Sequence, residues 1–226
     1  EVVICPPFVW LTDLSHRHYK SADFGAQDVF WEEKGAFTGE ISPGMLKSSH
    51  VKFVIIGHSE RRRLGESDDT VNKKVKAALK AKLMPIIAIG EELEDSEDVV
   101  PPMIANQLKG ALAGIAKRRL GGIIVAYEPV WAIGTGKADT ADNATRRAIY
   151  IRKILTKMLG GRTAAGIKIL YGGSVTSKNA ALFLSSDIRG MDGLLVGSAS
   201  LDAQEFVKIV EAVSRERHAV SSRFNR

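Results

Sequence analysis

Hydrophobic positions along the chain fall into short, mostly continuous runs, separated by longer stretches where apolar residues recur every three or four positions. The runs cover residues 2–5, 22–27, 53–57, 85–90, 123–128, 167–171 and 193–196. Apolar runs of this length without alternation are the pattern of parallel strands buried on both faces. The stretches between them predict helices over 8–19, 45–49, 68–82, 104–120, 141–159, 177–185 and 203–215. Within 68–82, Val71, Val75, Ala78 and Leu79 share one helical face and lysines occupy the other.

Repeated strand–helix units imply a parallel sheet with right-handed crossovers. No Ser/Gly-rich linker or shift in composition divides the chain, so one domain over 1–226 is expected. An open doubly wound sheet and a closed (β/α)8 barrel are the two candidates. The open sheet would usually place a glycine fingerprint after its first strand. Here Cys5 is followed by Pro6-Pro7. Functional-looking residues instead follow several strands, as in barrel enzymes.

Hydrophobic content of 45% and charged content of 26% predict a soluble globular protein. The net charge of +6 is scattered, with tight clusters at Arg61-Arg62-Arg63 and Lys117-Arg118-Arg119. Neither cluster is interleaved with aromatic residues, which argues against nucleic acid. A small anionic substrate fits the same bias. No apolar run reaches the ~18 residues that a membrane helix needs, and Glu1-Val2-Val3-Ile4 lacks the pattern of a secretory signal. Cys5 is the single cysteine, so an intramolecular disulfide is impossible. That fits a reducing cytosol, with Cys5 as a buried, inert thiol.

Candidate chemistry sits directly after the predicted strands. The run Ile123 to Tyr127 ends in Glu128, followed by Pro129, Trp131 and the glycine-rich Gly134-Thr135-Gly136. A carboxylate at a strand tip, hinged to such a loop, suggests a general base beneath a lid. Gly57-His58-Ser59-Glu60-Arg61-Arg62 follows another strand. A histidine there can polarise a carbonyl, and a helix opening after it would lower its pKa. Tyr171-Gly172-Gly173-Ser174 and Gly197-Ser198-Ala199-Ser200 follow the last two strands. Their small residues let backbone N–H groups approach an anion, and loops at these positions form the usual phosphate site of barrel enzymes. Gly134-Thr135-Gly136-Lys137 resembles a nucleotide P-loop only in its ending. Trp131 and Ala138 stand where that motif needs glycine and Ser/Thr.

Taken together, these segments resemble triosephosphate isomerases. Residues 126–137 resemble that family's catalytic glutamate and lid, and 57–62 its catalytic-histidine motif. Segments 171–174 and 196–201 resemble its phosphate loops, and Gly35-Ala36-Phe37-Thr38-Gly39-Glu40-Ile41-Ser42 its dimer loop. The resemblance implies a TIM (β/α)8 barrel that interconverts dihydroxyacetone phosphate and glyceraldehyde 3-phosphate. It implies a cytoplasmic homodimer in glycolysis and gluconeogenesis, with no cofactor or metal and no nucleic-acid or membrane partner.

Carried over by residue, Glu128 would move the proton and His58 would hydrogen-bond the substrate oxygens. Glu60 would be a supporting acid, with Ser59 beside the histidine. Gly134, Ser174, Gly197 and Ser198 would hold the phosphate. Tyr171 and Ser174 would latch the lid. Gln27 and Thr38 would lie at the dimer contact, and Glu40 would pair with Arg61. By the same resemblance the chain begins at the family's second strand. Seven of the eight units are expected, without the Asn-x-Lys segment of the first. Losing an oxyanion donor such as that lysine typically costs ~10²–10³ in rate. A weak or silent binding protein on the same scaffold is therefore the second reading. Three positions depart from the pattern: Ser198 stands where glycine is usual, Ala88 where cysteine is common, and Asp28 where asparagine is. A serine forced to φ > 0 at 198 would be strained.

Overall fold

The computed structural model describes residues 1–17, 21–92, 102–132, 138–184 and 190–224. Two compact units emerge. One holds Glu1–Ala88 and Asn106–Ile124, the other Ile89–Ala105 and Val125–Arg226.

The first unit runs β1 (Val3–Ile4), α1 (Phe8–Ser15), β2 (Asp23–Ala26), α2 (Pro43–Ser48), β3 (Phe53–Ile56), α3 (Ser59–Arg63), α4 (Asp68–Lys80) and β4 (Met84–Ile89). The strands pair in parallel and in chain order, with Ile4 beside Phe24, Ala26 beside Val54 and Ile56 beside Ile87. The close approach of β1 to β2 needs Gly25, because a Cβ there would lie 2.6 Å from Cys5 Sγ. Cys5 is half-buried rather than buried as expected, and desolvation pushes its thiol up to about 12, which disfavours the reactive thiolate.

α4 begins where its sequence says it should. Ser67 and Thr70 form a reciprocal capping box, and Asp68 and Asp69 occupy the first turn. Its apolar face carries Val71, Val75 and Ala78, all fully buried. The predicted helix over 104–120 is in fact two pieces. α5 (Pro102–Leu112) stops before Gly114, whose φ of +70° ends the α-helical path, and a 3-10 turn spans Lys117–Gly122.

The second unit contains β5 (Ile124–Tyr127) from Val125 onward, α6 (Ala141–Leu159), α7 (Gly161–Gly166), β6 (Lys168–Tyr171), β7 (Gly193–Leu194) and α8 (Ala203–Phe224). β6 lies between β5 and β7, and β6 and β7 are parallel. α6 matches its predicted span. The Thr140 hydroxyl caps it by accepting the Asn143 N–H at 3.1 Å, and Gly160 ends it at φ +88°. The Arg152 guanidinium bonds the carbonyls of Ala164 and Ile167 and pairs with Asp192 at 3.1 Å. One side chain thus ties α6 to the residues that lead into β6. The ends of the predicted helices at 18–19 and 185 lie outside the described residues.

Candidate active site

In the first unit β3 ends at Ile56, and Gly57 turns the chain with φ +77°. A Cβ at Gly57 would stand 3.1–3.2 Å from Arg62, Val71 and the Ala88 carbonyl, so the turn also requires glycine for space. His58 then caps α3, and its Nδ1 accepts the Glu60 N–H at 3.2 Å. An accepting Nδ1 puts the ring proton on Nε2. Ser59 is buried, whereas the Glu60 side chain is 73% exposed, with a carboxylate oxygen 3.8 Å from His58 Nδ1.

Behind α3 lies a charge cluster. Lys74, only 4% exposed, pairs with Asp28 at 2.7 Å and with Glu66. Asp28 also pairs with Arg61 at 3.0 Å, and Arg62 pairs with Asp68 at 2.8 Å. Glu66 accepts the Gly57 N–H at 3.0 Å, and Arg62 Nε donates to the Gly57 carbonyl at 2.8 Å. The cluster therefore fixes the turn that presents His58. Asp28 supplies what an asparagine could not, a charge for two cations. Gln27 is exposed and donates to the Cys5 carbonyl at 2.9 Å. Thr38 and Glu40 lie on the exposed segment 32–40, whose Phe37 ring meets the Phe30 ring at a tilt of 50° with centroids 4.8 Å apart.

In the second unit Glu128 follows β5 directly and is 2% exposed. Its N–H donates to the Ile89 carbonyl at 2.8 Å, and the Val130 N–H donates to the Glu91 carbonyl at 3.0 Å. Two glycines make the room. A Cβ on Gly90 would fall 1.7 Å from the Glu128 carbonyl oxygen, and one on Gly172 3.1 Å from Glu128 Cγ. Tyr171 is fully buried, stacked 3.9 Å from Phe183, and its hydroxyl accepts the Asp139 N–H at 3.1 Å.

Ser174 is half-buried, and its carbonyl accepts from Asn179 at 3.0 Å. Gly197 and Ser198 are exposed at the start of the 3-10 turn Ser198–Leu201. Outside glycine, positive φ among the described residues occurs at His50 and Lys82. Ser198 is not one of them, so the condition for strain there is not met. Gly134 lies outside the described residues.

The sequence reading missed three side chains that bury their charge in this unit. Glu91 is 3% exposed, Arg147 1% and Asp139 6%. The Tyr127 hydroxyl donates to Glu91 at 2.7 Å, and Arg147 Nε lies 3.7 Å from the same oxygen. Burial, and then the charge of Glu91, push the Tyr127 hydroxyl far above the ordinary tyrosine range, which keeps it a donor. Burial also raises Asp139, against the hydrogen bonds from Asn143 and Thr140 that lower it. The signal for Arg147 was available in the sequence. It falls in register with Ala144, Ala148, Ile151 and Leu155, on the stripe of α6 that should be apolar.

Among the described residues no group of three or more His, Cys, Asp or Glu is arranged to hold a metal ion, and no helix is long and apolar enough to cross a membrane. A cleft of 570 Å³ beside α6, lined by Ile149, Arg152, Lys157 and Asp192 among others, includes none of the predicted site residues.

Comparison with known proteins accounts for this arrangement. The family model described as triosephosphate isomerase matches residues 1–213. A triosephosphate isomerase of Thermoanaerobacter pseudethanolicus is 48% identical over 214 residues, which cover 93% of this chain and 85% of the relative. One from Dehalococcoides mccartyi is 50% identical over 213 residues, covering 92% and 82%. One from Moorella thermoacetica is 49% identical over 218 residues, covering 93% and 84%. The match places the seven strands and their helices in the TIM-barrel α/β class. The chain belongs to the triosephosphate isomerase family.

Proposed function

We propose that this chain interconverts dihydroxyacetone phosphate and D-glyceraldehyde 3-phosphate, with Glu128 as the base. The observation that carries the reading is the burial of the Glu128 carboxylate at the end of β5, in a space kept open by Gly90 and Gly172. A carboxylate removed from water and fixed by its own strand is suited to abstract a proton from carbon. It takes a proton from C1 of the ketone, leaving an enediolate, and returns it to C2, while the C1 hydroxyl proton passes to the C2 oxygen, which leaves the aldehyde at C1. No bond to phosphorus changes, and no electron leaves the substrate.

His58 is assigned to the substrate oxygens. A ring proton on Nε2 suits donation to a carbonyl that gains negative charge. Ser59 and Glu60 support it. Ser174, Gly197 and Ser198, with Gly134, are assigned to the phosphate, and Tyr171 with Ser174 to the latch of the lid. The Tyr171–Asp139 hydrogen bond supports the last assignment. The exposed segment 32–40, with Gln27 and Arg61, is assigned to a homodimer contact of a cytoplasmic enzyme. The relatives described above carry the isomerase name, and none favours a silent scaffold protein.

Glu128→Gln tests the reading. Loss of a positioned base should cut kcat by roughly 10²–10⁴, with the far-ultraviolet circular dichroism and Tm retained. Glu128→Asp should also cut kcat severely. Turnover at the parent rate in either folded variant would overturn the assignment.

A further inference from the structure

Arg147 has no part in the roles above, yet it is among the most deeply buried side chains of the second unit. A buried guanidinium costs several kcal/mol unless it is paired. Its neighbour is Glu91, at 3.7 Å. Ile89, the last residue of β4, and Glu91 grip the end of β5 at three points. The Glu91 carboxylate accepts the hydroxyl of Tyr127, the residue before Glu128. The Ile89 carbonyl accepts the N–H of Glu128 itself, and the Glu91 carbonyl accepts the N–H of Val130. The two main-chain contacts depend only on the path of the backbone. The side-chain contact depends on a buried carboxylate, and Asp139 in the same unit repels it. The positive charge of Arg147 offsets both acids.

We propose that Arg147 is a positioning residue for Glu128: its guanidinium balances Glu91, Glu91 holds the Tyr127 hydroxyl, and Tyr127 fixes the strand end that aims the base. The inference rests on the reading of Glu128 as that base. It separates Arg147 from a cation that merely stabilises the fold. A structural cation changes stability and leaves the aim of Glu128 alone.

The test is steady-state isomerisation of triose phosphate by the full chain. Arg147→Met should lower kcat about 10-fold or more through misplacement of the base, with KM within about twofold. The double variant Arg147→Met/Glu91→Gln should recover most of the lost kcat. It removes the Glu91 charge that Arg147 balances, the Gln amide oxygen still accepts from Tyr127, and Asp139 keeps its hydrogen bonds from Asn143 and Thr140. Tyr127→Phe keeps every charge and removes only the hydroxyl contact. It should lower kcat at nearly parental Tm, and it keeps the proposal testable if Arg147→Met does not fold.

Parental kcat in folded Arg147→Met or in Tyr127→Phe overturns the proposal. So does a double variant as impaired as Arg147→Met. Glu128→Gln, run in parallel, distinguishes the two readings. Full turnover there removes the base assignment itself, whereas its loss alongside an unaffected Arg147→Met removes only the role of Arg147.

Discussion

Around α3 and α4, Lys74, Arg61 and Arg62 face Asp28, Glu66 and Asp68, and every carboxylate has a cation within 3.0 Å. In the second unit Glu91 and Asp139 are buried with Arg147, and Glu128 is buried nearby in sequence at the end of β5. The first cluster neutralises itself and carries the turn at Gly57. The second holds more acid than base in a dry place, so burial raises Asp139 and the Tyr127 hydroxyl. Balanced charge serves rigidity beneath His58. Unbalanced charge accompanies the carboxylate assigned to chemistry, which is where strain and perturbed titration are expected to concentrate.

The strongest way to break this contrast is Lys74→Met. It leaves Asp28 with one cation fewer and Glu66 without its ion pair, in a nearly dry setting. Breaking a buried pair from one side costs about 3–5 kcal/mol, read as a fall in the denaturant midpoint. A loss under about 1 kcal/mol would mean that packing, and not charge balance, holds the first cluster.

Gly90→Ala probes the other cluster by crowding. The added methyl overlaps the Glu128 carbonyl, so the strand end must shift. Overpacking of this kind costs about 1–3 kcal/mol. Because the shift falls on the base, kcat should suffer more than stability does. Equal losses in both would place the strain elsewhere in the unit.

Asp139→Asn gives the smallest effect and the sharpest sign. Burial lifts the Asp139 carboxyl above its unfolded value. Such an acid favours the fold when protonated. That advantage is whole below the unfolded pKa and fades as pH rises through the folded one. The variant does not titrate, so its Tm should exceed the parent's at neutral pH. The gap should close below about pH 4. A gap that widens on acidification would reverse the assignment of burial as the dominant cause.

Much of the scaffold beneath this contrast was legible in the sequence, and the charge clusters themselves were not. Each of the seven strands fell within a mostly apolar run, and β3, β4 and β5, buried nearly throughout, have no reason to alternate. α6 was bounded correctly by Thr140 and Gly160, which act through local hydrogen bonding and backbone freedom. The region 104–120 misled, since its apolar spacing continues past Gly114 while its backbone does not. α3 was too short to show a period, although a helix after His58 was anticipated as a condition on that residue's chemistry. The site divides in the same way. Glu128 and His58 stand beside their strands and are visible as motifs. Glu91, Asp139 and Arg147 act through contacts across tens of residues, and only the misplaced polarity of Arg147 on its helix betrays them.

The snug seat of Cys5 over Gly25 also has a practical consequence. The one thiol among these 226 residues is held protonated by burial. A second cysteine introduced at an exposed position such as Thr38 or Glu60 should react with maleimide probes faster than the half-buried Cys5. Dyes or spin labels can therefore be directed to such sites by limiting reagent and time, with Cys5 left in place.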